Sequence, residues 1–136
     1  MYNIKSNNLS NAANEFRKQI QKRESTIAII GLGYVGLPLG IEFGRKYPTI
    51  GFDNNVERIR QLKVCIDKTL EVDKQVLNEA NITFTTEYKD IIDCNIYIIT
   101  VPTPVDKYNK PDMEPIASAS KTVGKVLKKD DVVIYE

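Results

Sequence analysis

The chain has 136 residues, of which 42% are hydrophobic and 27% charged, with a formal net charge of +1. That length is one domain able to bury a real core, and the balanced charge argues against a nucleic-acid binder, which carries a clustered basic excess. No apolar run reaches bilayer length and the first residues are polar, so neither a membrane span nor a secretory signal is expected.

Residues 1–25 read as a polar lead-in. Ser10 is placed to cap a short helix carrying Ala13, Phe16 and Ile20 on one face, with Arg17, Lys18, Lys22 and Arg23 elsewhere. That face is too thin for a membrane or partner helix, and packing on its own domain or on a dimer mate is the preferred reading. Residues 26–136 form the domain proper. Thr26 to Ile30 is a continuous β-branched, apolar run ended by glycine, the pattern of a strand buried on both faces of a parallel sheet. A helix is predicted over Tyr34–Lys46, a strand over Thr49–Phe52, and a helix over Val56–Val64 with Ile59, Leu62 and Cys65 at helical spacing. Asp67–Asn81 reads as an acidic, partly helical excursion.

Strands are predicted at Ile82–Thr85 and Asn95–Thr100, the latter stopped by Pro102 and Pro104, which cannot donate to a ladder. Pro115 opens a helix in its first turn, and Val132–Tyr135 is the last strand. Strands alternating with helices imply a doubly wound, three-layer α/β/α domain with a parallel sheet. The expected strand order is 3-2-1-4-5, with a ligand crevice at the carboxyl ends of strands one and four. Two cysteines without CxxC spacing and no histidine make a zinc or other metal site unexpected and a reducing cytoplasm the expected compartment. Cys65 and Cys94 read as small buried hydrophobes, since no histidine is present to activate either thiol.

One motif carries chemistry. Gly31-Leu32-Gly33-Tyr34-Val35-Gly36 fits GxGxxG, a weak pattern alone. Here it leaves a buried strand and opens a helix, and Asp53 closes the next strand about 20 residues on. Gly31 permits the tight turn, Gly33 lets the backbone approach a pyrophosphate, and Gly36 lets helix and strand pack closely. Amides around Tyr34 and Val35 then point at the phosphates, aided by the helix dipole. Gly40 and Gly44 extend the spacing and give the helix a smooth face against the sheet. The carboxylate of Asp53 accepts from ribose hydroxyls and repels a 2′-phosphate, which favours NAD over NADP. Arg58 qualifies this, since an arginine there can receive that phosphate, although a place on the adenosine side fits better. Thr103, within Thr100-Val101-Pro102-Thr103-Pro104, is either a wall of the nicotinamide end or part of a plain strand-terminating turn, and spacing does not choose between them.

The segment Ile29 to Leu39 closely resembles the opening of the UDP-glucose/GDP-mannose dehydrogenase family. Val101 to Asp106, Pro111-Asp112-Met113, Asp67 to Val72 and Val132 to Glu136 are similar to its later signatures. Together they resemble the branch that oxidises UDP-N-acetylhexosamines for bacterial surface polysaccharides. The resemblance implies a Rossmann fold, a UDP-sugar substrate, and two NAD consumed in taking the C6 alcohol to a carboxylate. It places Tyr34, Val35, Asp53, Arg58 and Thr103 at NAD contacts. Gly40 stands where alanine is usual, and Asn54 where an apolar residue is common.

Family enzymes run to roughly three times this length. Neither cysteine lies in the motif of the family's catalytic cysteine, so no catalytic residue is expected here. The chain is therefore expected to bind NAD without catalysing anything alone, and to self-associate or dimerise, in part through the bare edge of its last strand. A free-standing NAD-binding or redox-sensing module is the alternative. A methyltransferase using S-adenosylmethionine, which also places an acid after strand two, is the third reading.

Overall fold

The computed structural model describes residues 24–136 and, in the lead-in, residues 11, 13–15, 17 and 18, which are helical and exposed. The expected cap at Ser10 and the face formed with Phe16 and Ile20 lie outside the described residues.

Strands β1 (Ile27–Ile30), β2 (Thr49–Phe52), β3 (Ile82–Thr85), β4 (Ile96–Ile99) and β5 (Val132–Tyr135) form one sheet in the order β3-β2-β1-β4-β5. Every neighbouring pair is parallel, with Ile27 opposite Thr49 and Ile96, and Ile30 opposite Phe52 and Ile99. This is the expected order. Because side chains alternate across a strand, β1 feeds two cores at once. Ile27 and Ile29 join Leu37, Ile41, Ile59, Leu62 and Ile98 on one face. Ala28 and Ile30 join Phe52, Tyr97, Ile99, Ala119 and Val123 on the other. A strand feeding two cores must be apolar at every position, and all four residues of β1 and of β4 are buried.

Helix α1 (Gly36–Gly44) packs against the sheet through its glycines. A Cβ on Gly40 would lie 2.8 Å from Ile82 Cδ1, and one on Gly44 would lie 2.6 Å from the Asn81 carbonyl oxygen. Helix α2 (Val56–Lys63) is capped by the Asn55 side chain, which accepts from the Arg58 amide at 3.1 Å.

The helix ends one residue before the expected Val64, short of Cys65. Cys65 takes a left-handed conformation with φ 57°, its amide donates to the Leu62 carbonyl, and the Ile66 amide reaches back to the Gln61 carbonyl. That pair of bonds is a Schellman termination, satisfied before the apolar spacing ends. In the Asp67–Asn81 excursion only α3 (Lys74–Glu79) is helical. A 3₁₀ turn at Tyr88–Ile91 follows β3, and α4 (Glu114–Gly124) has Pro115 in its first turn.

Candidate functional site

The turn after β1 is built from the glycine spacing. Gly31 sits at φ +95°, a conformation that L side chains rarely adopt. Its amide donates to the Phe52 carbonyl at 2.8 Å, and its own carbonyl accepts from the Thr100 hydroxyl at 2.7 Å. A Cβ on Gly36 would collide with both the Gly31 carbonyl oxygen and the Thr100 hydroxyl, so the helix approaches this closely only as glycine. Gly33 is different: a Cβ there would meet nothing within 4 Å. The amides of Gly33, Tyr34 and Val35 donate to no acceptor among the described residues. These are the unpartnered donors that any helix start leaves, and their residues line a crevice with Thr100 and Val101 beyond the carboxyl end of β4.

Asp53 closes β2 half-buried. Its Oδ2 accepts from the Leu32 amide at 2.8 Å and its Oδ1 from the Asn55 amide at 2.9 Å. It borders a crevice of about 520 Å³ that runs from the glycine turn to α4, lined also by Asn54, Pro102, Asp112, Glu114 and Ser118. Three of its lining residues are acidic and none is lysine or arginine, which disfavours an added phosphate on the ligand. A second crevice of about 260 Å³ lies on the other side of the turn, between Tyr34, Val35, Thr103 and Glu136. Tyr34 and Thr103 are exposed at its walls. The sequence-predicted residues thus fall around two adjoining hollows, with Gly33 lining both.

Arg58, expected on the adenosine side, is held by groups of the chain itself. It is buried and lines neither crevice. Its Nε donates to the Leu32 carbonyl at 2.8 Å and its Nη1 to Asp67 Oδ1 at 2.8 Å, with Nη2 3.4 Å from the Thr69 hydroxyl. The physical reason is Asp67, whose buried carboxylate claims the guanidinium. Burial alone would raise the Asp67 carboxyl, but hydrogen bonds from Thr69, Arg58 and backbone amides prevail and hold it at about 2. Cys94 is fully buried, which together with Asp93 nearby pushes its thiol up to about 12. It is packed as a hydrophobe, as its sequence context implies.

Sequence reasoning missed Thr100 as a tie between β4 and the glycine turn, and placed Asp67 and Thr69 in a stretch similar to the family without giving either a role. A polar residue ending the apolar run Ile96–Ile99 was a usable signal for Thr100. An acid inside an acidic stretch offered none for Asp67. Among the described residues, no group of three His, Cys, Asp or Glu side chains is placed to hold a metal ion, and no helix is long and apolar enough to cross a membrane.

The family model for the NAD-binding domain of UDP-glucose/GDP-mannose dehydrogenases matches residues 25–136. A UDP-N-acetyl-D-glucosamine 6-dehydrogenase of Pseudomonas aeruginosa is 51% identical over 115 residues, covering 84% of this chain and 27% of the relative. Protein CapL of Staphylococcus aureus is 50% identical over 110 residues, covering 81% of this chain and 26% of the relative. This chain therefore spans little more than a quarter of the curated relatives it matches. Among solved structures, the UDP-D-ManNAc dehydrogenase from Pyrococcus horikoshii aligns with a TM-score of 0.72 at 33% identity, covering 82% of this chain and 28% of that one. The methyltransferase reading is set aside by this match. An open glycine turn with free amides is what a cofactor pyrophosphate requires, and the chain belongs to the UDP-glucose/GDP-mannose dehydrogenase family, as its NAD-binding domain.

Proposed function

We propose that this chain is the cofactor half of an enzyme that oxidises the C6 alcohol of a UDP-N-acetylhexosamine to the uronic acid, with two NAD reduced per sugar. The observation that carries the cofactor role is the set of amides at Gly33, Tyr34 and Val35, without an acceptor among the described residues and on residues that line a crevice. The substrate class is supported by the similarity to relatives named UDP-N-acetyl-D-glucosamine 6-dehydrogenase. When bound, NAD supplies the hydride acceptor.

The chain's own residues bind and orient it. The three amides take the pyrophosphate at the positive end of α1. Gly31 and Gly36 hold the turn, and Asp53 accepts from the adenosine ribose. Tyr34, Val35 and Thr103 border the nicotinamide half in the smaller crevice. No residue of this chain is given a catalytic role, and Cys65 and Cys94 are no part of the chemistry. The reacting groups and the residues that read the sugar belong, on this proposal, outside these 136 residues, so the chain alone binds NAD without turnover. A bacterial cytoplasmic protein, working as a homodimer or self-associating, completes the proposal.

The test has two parts. Fluorescence titration of the chain with NADH is expected to show saturable binding, with NADPH much weaker. Full-length protein supplied with NAD and UDP-N-acetylglucosamine, UDP-N-acetylgalactosamine or UDP-glucose is expected to form a uronic acid and two NADH per sugar from one N-acetylated substrate. Absence of NADH binding contradicts the cofactor role. Binding without turnover of any nucleotide sugar by full-length protein favours the free-standing module.

A further inference from the structure

We propose that Thr100 is a positioning residue for the nicotinamide end of the cofactor, its buried hydroxyl fixing where the Val101–Thr103 segment stands relative to the glycine turn. The proposal rests on the NAD-binding reading above and adds what holds the two hollows in register.

Thr100 is the first residue past β4 and is 7% exposed. Its amide continues the ladder to β1, donating to the Ile30 carbonyl at 2.9 Å. Its hydroxyl has one hydrogen to give, and two carbonyls are within reach, Gly31 at 2.7 Å and Ile30 at 3.2 Å. The start of α1 rests on this same bond, since a Cβ at Gly36 would strike both its donor and its acceptor. One hydroxyl therefore meets the end of β1, the end of β4 and the first residue of α1.

What depends on that tie differs on its two sides. The glycine turn has other supports. The Gly31 amide donates to the Phe52 carbonyl at 2.8 Å, and the Leu32 amide donates to Asp53 Oδ2 at 2.8 Å. On the other side, no backbone group of Val101, Pro102 or Thr103 has a backbone partner among the described residues. Pro102 has no N–H to offer at all. The next backbone bond along the chain is at Pro104, whose carbonyl accepts from the Asp112 amide at 2.7 Å. The segment is thus a short strap between Thr100 and Pro104, and it lines the smaller crevice together with Tyr34 and Val35. Removing the hydroxyl frees the strap at its near end, while the turn keeps its remaining bonds. The loss should therefore fall on the nicotinamide half of the ligand rather than on its pyrophosphate.

The experiment uses full-length protein and the variants Thr100→Val and Thr100→Ser. Valine has the shape of threonine without the hydroxyl, and serine keeps the hydroxyl without the methyl. Dissociation constants are measured for NADH and for ADP-ribose, which carries the pyrophosphate but no nicotinamide. The emission of bound NADH, which arises from its nicotinamide ring, is recorded at saturation. In Thr100→Val, NADH is expected to bind about tenfold more weakly, the cost of removing one buried hydrogen bond. ADP-ribose is expected to stay within about twofold, and the emission of bound NADH to move toward that of free NADH. Thr100→Ser is expected to restore the affinity and the emission of the unsubstituted protein.

A folded Thr100→Val protein that binds NADH like the unsubstituted one would overturn the proposal. So would equal losses for NADH and ADP-ribose, which would assign the hydroxyl to the turn alone. Weakening in Thr100→Ser as large as in Thr100→Val would overturn it too, by making the methyl group the cause. If Thr100→Val fails to fold, Thr100→Ala, which removes the hydroxyl without setting a methyl against Gly36, takes its place with the same expected split. Failure of the unsubstituted protein to bind ADP-ribose overturns the NAD-binding reading instead, and is told apart because no variant is needed to see it.

Discussion

Asp67 is where one side chain changes the behaviour of the whole domain with pH. Burial opposes its charge, yet donors from Thr69, Arg58 and the Val72 amide hold its carboxyl at about 2, against an ordinary value of 3.8. A depressed folded-state pKa stabilises above the unfolded value and is lost as pH falls through the folded one. Its contribution, on the order of 2 kcal/mol, is present above pH 4 and disappears between about pH 4 and pH 2. In Asp67→Asn, acid unfolding curves are expected to lose part of their slope in that window, which stability measurements from pH 5 down to pH 2 will check. None of this was legible in the sequence, because a hub made by one carboxylate has no periodicity. Leu70 nearby is a second residue-scale feature, at φ 58° and 89% exposed. Leu70→Asn relieves a left-handed leucine that buries little, and is expected to stabilise the fold by about 0.5 kcal/mol, read from the thermal midpoint.

At the scale of elements, the three glycines of α1 all face protein, whereas Gly124 in α4 faces open space. Gly36→Ala forces a Cβ into the Gly31 carbonyl and the Thr100 hydroxyl, and is expected to destabilise by about 3 kcal/mol. Gly44→Ala meets the Asn81 backbone and is expected to cost about 2 kcal/mol. Gly124 ends α4 with nothing within 4 Å of an added Cβ, and Gly124→Ala is expected to gain about 0.5–1 kcal/mol. Denaturant unfolding of the three variants gives the signs directly. These elements were legible because β1 and β4 are apolar throughout and glycine spacing marks the turn. What the apolar spacing hid is that Cys65, one residue past the expected end of α2 at Val64, has already turned left-handed. The 3₁₀ turn at Tyr88–Ile91 was also invisible, four residues being too few to show a period.

For the molecule as a whole, strand order followed from the alternation of strands and helices, and the place of the crevice followed from that order. The sequence could not show that the crevice extends onto α4, where Ser118 and Thr122 line it, because that contact depends on how far α4 lies from β2. β5 pairs only with β4 among the described strands, and Tyr135 on it is 56% exposed. An open strand edge templates association, so the sedimentation coefficient of the isolated chain is expected to rise with concentration. A value that stays constant would contradict that expectation.

The central claim is that the turn at Gly33 receives the cofactor's pyrophosphate, and calorimetric titration of NADH into the Gly33→Ala protein tests it most directly. With nothing within 4 Å of the added Cβ, the variant should unfold within about 0.5 kcal/mol of the unsubstituted chain. The methyl group then occupies the space meant for phosphate, and NADH affinity should fall at least about tenfold, or 1.4 kcal/mol. A folded Gly33→Ala protein that binds NADH as tightly as the unsubstituted chain would contradict the account.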